Sequence, residues 1–67
     1  MAKWRVRYET LGGYGHTITL EASSMKQAMK PQRVAAAVRA FYRDYHIDSY
    51  MWDRIRPRRI LHAKKPK

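Results

Sequence analysis

Two segments of alternating residues near the N-terminus constrain the fold of this chain most. In residues 3–10, Trp, Val, Tyr and Thr alternate with charged residues, and in residues 16–22 Ile, Leu and Ala alternate with polar ones. A period of two with aromatic and β-branched residues is typical of strands that bury one face. Residues 11–15 contain three glycines, which allow the positive φ angles of a tight connection. The pattern therefore predicts an N-terminal antiparallel β-hairpin.

A helix is predicted to follow the hairpin. Ser24 and Gln27 have the spacing of a capping box, in which the serine side chain caps the first turn. Pro31 interrupts this helix, because the residue before a proline disfavours the α conformation. Either a short first helix ends there and a second begins with Pro31, or one helix kinks at that point. The second part, residues 32–45, is rich in alanine and carries an apolar stripe at helical spacing, formed by Val34, Val38, Phe41 and Tyr45.

The pattern after residue 46 is weaker. Residues 50–55 are consistent with a third strand that places Met51 and Ile55 on one face, and residues 58–62 with a fourth short strand. Residues 63–67 are predicted to be a basic disordered tail. We therefore expect one α+β domain over residues 1–62. Its antiparallel sheet of three or four strands is packed on one face by a helix broken or kinked at Pro31, in the order β-β-α-β(-β), because neither layer buries its apolar side alone.

The charge of the chain points to a polyanionic partner. The 67 residues include 15 Lys and Arg against 5 Asp and Glu, a formal net charge of +10. The electric field of so large a positive charge steers a protein toward polyanions, of which nucleic acid is the commonest. The length excludes an enzyme with its own cofactor domain, and there is no cysteine for a disulfide or a thiolate metal site. No run of 18 or more apolar residues is present. We expect a cytoplasmic protein without cofactor, metal or membrane association.

Three groups of basic residues are candidate nucleic-acid contacts. The first lies on the polar face of the first strand, with Thr17 and Thr19 expected beside it: Lys3, Arg5 and Arg7. The second lies on the outer face of the predicted helix, where it would reach guanine edges in a major groove: Arg39 and Arg43. The third fills the last 14 residues with seven basic side chains and no acid: Arg54, Arg56, Arg58, Arg59, Lys64, Lys65 and Lys67. A solvated sheet face, a solvated helix face and a solubilising tail are the respective alternatives.

Aromatic and histidine side chains supply further candidates. Trp4, Tyr8, Phe41 and Tyr45 have the spacing of core residues. Outside that set, an exposed aromatic beside arginine stacks on an unpaired base or anchors a protein interface, and the candidates are Tyr14, Tyr50 and Trp52. The histidines His16, His46 and His62 lack metal-binding spacing. His16 is the one candidate for acid–base catalysis in a small ribonuclease, with Glu9 or Glu21 as its partner, against the alternative of an ordinary turn histidine.

The joint between the hairpin and the helix supports a second hypothesis. Residues 21–24, with Ala28, resemble the passage from strand to capped helix in small phage and mobile-element proteins, some of which inhibit host nucleic-acid machinery. The primary hypothesis is a non-enzymatic nucleic-acid-binding protein of low sequence specificity. The alternatives are a phage-type or mobile-element-type inhibitor that binds an acidic protein surface, and a small ribonuclease. The unpaired edge of a hairpin strand can also pair with a second copy of the chain, so a homodimer is a further hypothesis.

Overall fold

A computed structural model describes residues 1–65 of the chain. Over this range the elements follow in the order β1 (Ala2–Glu9), β2 (Gly15–Ala22), α1 (Met25–Ala28), α2 (Pro31–Phe41), α3 (Ser49–Ile55) and β3 (Arg59–Lys64). The strands form one antiparallel sheet in the order β2-β1-β3, so β1 lies in the centre. Helices pack on one face of this sheet, which confirms the predicted α+β class.

The N-terminal hairpin agrees closely with its prediction. β1 and β2 pair with Trp4 opposite Leu20 and Val6 opposite Ile18, so the apolar residues of both strands share one face. At the connection, the Thr10 N–H donates to the Tyr14 carbonyl at 3.0 Å. Gly13 has a φ of 80°, a conformation that favours glycine. The glycine-rich connection therefore turns the chain as its sequence predicts.

Two separate helices follow the hairpin. The Ser24 side chain accepts a hydrogen bond from the Gln27 N–H at 3.2 Å and caps α1. α1 ends after one turn, and α2 begins with Pro31 at its N-terminus, so the chain is broken into two helices at this proline. α2 ends at Phe41, one turn earlier than predicted, and Tyr42 is its C-cap.

The predicted strand at residues 50–55 is wrong. These residues belong to α3, whose N-cap Asp48 accepts a hydrogen bond from the Met51 N–H at 2.8 Å. Trp52 and Ile55, three positions apart, are partly buried against the core. The four-residue spacing of Met51 and Ile55 fits one face of a strand as well as one side of a helix, but the three-residue spacing of Trp52 and Ile55 fits only a helix, in agreement with the cap. The sheet therefore has three strands in the described part of the chain.

The third strand reaches further than the predicted domain boundary. β3 pairs with β1 from Arg59, opposite Glu9, to Lys64, opposite Arg5. Within it, Ala63 is only 3% exposed and belongs to the core. Assigning Ala63 and Lys64 to a disordered tail is therefore wrong, because a small apolar side chain at position 63 docks the strand. The last two residues of the predicted tail, 66 and 67, lie outside the described residues.

The core lies between the sheet and the first two helices. Its buried hydrophobic residues are Trp4, Val6, Tyr8, Ile18, Leu20, Ala22, Ala28, Val34, Val38 and Ala63. The indole of Trp4 donates a hydrogen bond to the Ala22 carbonyl at 3.1 Å. Phe41 and Tyr45, predicted to be core residues, are 68% and 63% exposed. Tyr45 lies beyond the end of α2, and Phe41 lies beside β2, an edge strand with no neighbour to cover that side chain.

Candidate nucleic-acid interface

One face of the sheet is not covered by helices, and we call it the open face. Side chains alternate along a strand, so the polar residues of β1 and β2 lie opposite the core. We define the open face by seven exposed residues from all three strands: Lys3, Arg5, Arg7, Thr17, Thr19, His62 and Lys64. The exposed Glu21 and Arg59 lie on the same side of the sheet at its margins. The structure therefore places the first predicted group of basic residues on an accessible surface.

The strand register arranges these residues in rows. Arg5 on the central strand pairs with Thr19 on one side and Lys64 on the other, and paired residues of antiparallel strands share a face. In the next row, Arg7 pairs with Thr17 and with His62. A shallow depression of about 470 Å³ runs between these side chains and Lys65. Each row thus has a hydroxyl, a guanidinium and a second nitrogen-bearing side chain.

The guanidinium of Arg7 is held over β2. Its Nη1 donates to the Thr17 hydroxyl at 3.4 Å. Its Nη2 lies too close to Gly15 for a Cβ to fit there, so a side chain at position 15 would displace the guanidinium. Thr17 supplies an acceptor and Gly15 leaves room, and together they orient Arg7 across the sheet.

A bulge in β3 decides which of its residues reach the open face. Ile60 pairs with Tyr8 on the core side and His62 pairs with Arg7 on the open side, so Leu61 is the extra residue between them. Strict alternation from the inward-facing Ile60, with no bulge, would turn His62 and Lys64 toward the core and Ala63 outward. The bulge therefore absorbs one residue while His62 and Lys64 stay beside the arginines.

The basic residues of the open face have little neutralisation from the protein itself. Within residues 1–65, salt bridges join Arg59 to Glu9 at 3.9 Å and Arg56 to Asp53 at 3.8 Å. In that same part of the chain, the charged groups of the open face have no carboxylate within 4.0 Å: Lys3, Arg5, Arg7 and Lys64. Glu21, opposite Lys3, is the nearest acidic residue by register. The face therefore carries a net positive charge.

The second predicted group of basic residues lies on the helix side of the molecule. The Arg39 guanidinium stacks on the Trp52 ring, 4.0 Å from its centroid. Arg43 lines the same groove of about 410 Å³ between α2 and α3. Arg39 therefore bridges two helices through a cation–π contact. The structure does not bring Arg39 or Arg43 to the open face.

The basic C-terminal segment does not form one continuous surface. The Arg54 guanidinium contacts the Tyr50 hydroxyl at 3.2 Å on α3. Arg56 pairs with Asp53 and lines a groove beside α2. Arg58 is exposed, and its N–H donates to the Glu9 carbonyl at 2.8 Å. The remaining described members lie on or just after β3: Arg59, Lys64 and Lys65. Lys67 lies outside the described residues.

The aromatic candidates are dispersed. Tyr14 is 72% exposed at the hairpin turn, and Tyr50 is exposed on α3. Trp52 is partly buried and has Arg39 on its ring. Trp4 faces the core, and the Lys65 ammonium lies 5.3 Å from its ring centroid. The open face has no aromatic side chain among its seven residues.

The structure does not assemble the predicted acid–base pair. The ring of His16 lies 5.8 Å from that of Tyr8, on the opposite side of the sheet from Glu9 and Glu21. Alternation along the strands separates these groups. His62, noted in the sequence as a lone histidine, is instead a member of the open face. The alternating pattern of residues 62–64 was the signal that would have placed it there.

The described residues form neither a metal-ion site nor a membrane-spanning helix. No group of three or more His, Cys, Asp or Glu side chains within residues 1–65 is arranged to hold a metal ion. Over the same range, every helix is too short or too polar to cross a bilayer.

Comparisons of the chain with protein-family models, curated proteins and solved structures each found no match.

Proposed function

We propose that this chain is a cytoplasmic, non-enzymatic nucleic-acid-binding protein of low sequence specificity that uses the open face. The observation that carries the proposal is the arrangement of Lys3, Arg5, Arg7 and Lys64 on one uncovered face, where none of them has a carboxylate partner among residues 1–65. Four like charges that close together repel one another. Phosphates of a nucleic acid would neutralise them and release bound counterions, which favours association.

The side-chain chemistry of the open face supports phosphate binding. A guanidinium presents paired N–H donors that match two phosphate oxygens, and an ammonium binds phosphate as a point charge. Thr17 and Thr19 add hydroxyl donors beside the arginines. The hydrogen-bonded sheet holds the backbone beneath these groups in place. Contacts of this kind position a nucleic acid without reading its bases, so low sequence specificity follows.

An acidic protein surface is the second candidate partner. Exposed aromatic side chains off the open face favour it, because such residues anchor protein interfaces. Phe41 and Tyr42 lie edge to face with ring centroids 5.0 Å apart, and Tyr45 continues the cluster. A phage-type or mobile-element-type inhibitor would use this cluster or Tyr14 as its anchor and the basic residues to accelerate association. Such a protein would bind duplex DNA weakly.

Two triple variants with the same net charge test the proposal. The first changes Arg5, Arg7 and Lys64 to Ala, and the control changes the exposed helix-side residues Lys26, Lys30 and Arg33 to Ala. Fluorescence anisotropy measures the affinity for duplex DNA at several salt concentrations. The slope of log affinity against log salt falls by about 0.9 for each lost phosphate contact. We expect this fall in the first variant and an unchanged slope in the control.

Equal behaviour of the two triple variants would contradict the proposal. It would mean that total charge, rather than the open face, sets the affinity. An affinity of the unmodified protein that stays constant between about 50 and 200 mM salt would also contradict it, because phosphate binding depends on salt.

A further inference from the structure

The shape and chemistry of the open face select one form of nucleic acid. We propose that the open face lies in the major groove of duplex DNA, with β1 along the groove and Arg5 and Arg7 over the base edges. This inference rests on the proposed function and specifies its ligand.

The absence of aromatic residues from the open face disfavours a single strand. Proteins that bind single strands stack the bases on aromatic side chains along a basic groove. Here Trp4 and Tyr8 of β1 face the core and are 6% and 4% exposed. The exposed Tyr14 lies at the hairpin turn, and the exposed Phe41 of α2 lines a depression with Thr17 and Thr19 at the β2 edge of the open face. The open face therefore offers hydrogen-bond donors and positive charge along its basic rows, and the exposed ring of Phe41 lies at its β2 edge rather than within those rows.

The width of the sheet matches the major groove. Neighbouring strands lie about 4.8 Å apart, so β2 and β3 are separated by about 9.6 Å across β1. The major groove of B-DNA is about 12 Å wide and admits a two-stranded β-ribbon, and this width also exceeds the backbone separation of the outer strands here, whereas the minor groove is about 6 Å wide. With β1 over the groove floor, the outer strands lie along the two phosphate backbones. Thr17 and Thr19 would face one backbone, and His62 and Lys64 the other.

The rise of the central strand matches the spacing of base pairs. Side chains two residues apart on one face are separated by about 6.8 Å along a strand. Base pairs are about 3.4 Å apart along the helix axis and farther apart along the inclined groove, so Arg5 and Arg7 reach base pairs about one to two steps apart. Arginine donates in pairs to O6 and N7 of guanine, both in the major groove, and two such contacts would select guanine at about two positions only, so the overall sequence specificity stays low. In the free protein the Arg7 guanidinium lies over β2, where the Thr17 hydroxyl accepts a hydrogen bond from it, so Arg7 leaves this contact when it reaches a base edge.

Duplex RNA does not fit the same arrangement. The major groove of an A-form helix is deep and narrow, and side chains do not read it. The open face would then reach only phosphates and sugar hydroxyls along the wide minor groove. We therefore expect duplex DNA to bind most tightly, followed by duplex RNA and by single-stranded DNA of the same sequence and length.

Chemical footprinting tests the placement. Dimethyl sulfate methylates guanine N7 in the major groove and adenine N3 in the minor groove, so protection identifies the covered groove. The unmodified protein should protect guanine N7 and leave adenine N3 reactive. An Arg5→Lys variant keeps the charge but loses the paired donors, so it should protect N7 less and retain the salt slope. Arg33→Lys is the matched control, and it should leave the footprint unchanged.

The outcomes separate this inference from the proposed function. Binding that protects adenine N3, or that protects neither groove, overturns the placement in the major groove but leaves phosphate binding intact. Single-stranded DNA bound as tightly as the duplex also overturns the inference. Loss of salt-dependent binding to every nucleic acid overturns the proposed function itself.

Discussion

Tyr8 is the residue whose environment most clearly alters its chemistry. It lies on the core side of β1, between His16 of β2 and Ile60 of β3, and is almost fully buried. Burial raises the pKa of its phenol above the ordinary value of 10.0, because the phenolate loses hydration, and nearby Tyr42 raises it further. The folded protein therefore holds Tyr8 in its neutral form.

This shift predicts a loss of stability at alkaline pH. A raised pKa contributes its stability fully below the unfolded pKa of 10.0, and that contribution is lost as pH rises toward and through the folded value. Denaturant unfolding of the natural protein and of Tyr8→Phe should therefore be compared from neutral pH upward. The difference in the free energy of unfolding should stay constant below pH 10 and shift in favour of the phenylalanine variant above it. Parallel curves over the whole range would show that Tyr8 ionises equally in both states.

At the scale of the element, α2 begins without a side-chain cap. Its N-cap residue Lys30 has the extended conformation that a capping residue adopts, with φ −64° and ψ 129°, but it makes no capping hydrogen bond. Its positive charge also lies beside the positive end of the helix dipole. The first turn contains no acidic residue to offset this charge. The start of α2 is therefore less stable than its alanine-rich sequence allows.

Lys30→Asp should supply the missing side-chain cap and replace the unfavourable positive charge at the start of α2. The new carboxylate would accept a hydrogen bond from the first turn and interact favourably with the helix dipole, which together stabilise the fold by about 1 kcal/mol. Lys30→Gln is the control, since it removes the charge without supplying a good cap and should have a smaller effect. Urea unfolding measures both variants. Equal stability of the two variants would show that charge removal alone matters.

Elements with a strong local signal were predictable, and α3 was not. The hairpin carries unbroken alternation on both sides of a glycine-rich turn, and the helix break coincides with Pro31. For residues 50–55 the four-residue spacing of two apolar residues fits either a strand or one side of a helix. The cap at Asp48 was present in the sequence, but a single aspartate is a weak signal without the packing of Trp52 against the core.

The whole molecule combines a small core with a large positive charge. Its largest fully buried side chains are only the valines Val6, Val34 and Val38. The two salt bridges found within residues 1–65 join partly or largely exposed side chains, and such pairs contribute little. A net charge of +10 on this body repels itself in the folded state. Charge repulsion is therefore a substantial opposing contribution to a small stability.

Sodium chloride should consequently have opposite effects on folding and on binding. Raising it from about 0.01 to 0.1 M shortens the screening length from about 30 to 10 Å. The melting temperature of the free protein should rise, because repulsion between its basic residues weakens. The affinity for duplex DNA should fall over the same range. The variant with Lys26, Lys30 and Arg33 changed to Ala should show a smaller rise in melting temperature. A melting temperature that falls with salt would mean that attractive ion pairs dominate.

Local sequence patterns are enough to establish which side of each N-terminal strand is basic and where the first helix stops. These properties are local, since alternation and proline geometry act on neighbouring residues. Long-range packing, in contrast, brings β3 beside β1 and places Lys64 next to Arg5, although 58 residues separate them in the chain. It also stacks Arg39 on Trp52 on the other side of the molecule. Strand pairing and helix docking depend on burying apolar residues that are distant in sequence, such as Ala63 against Val6, and no local pattern records those partners.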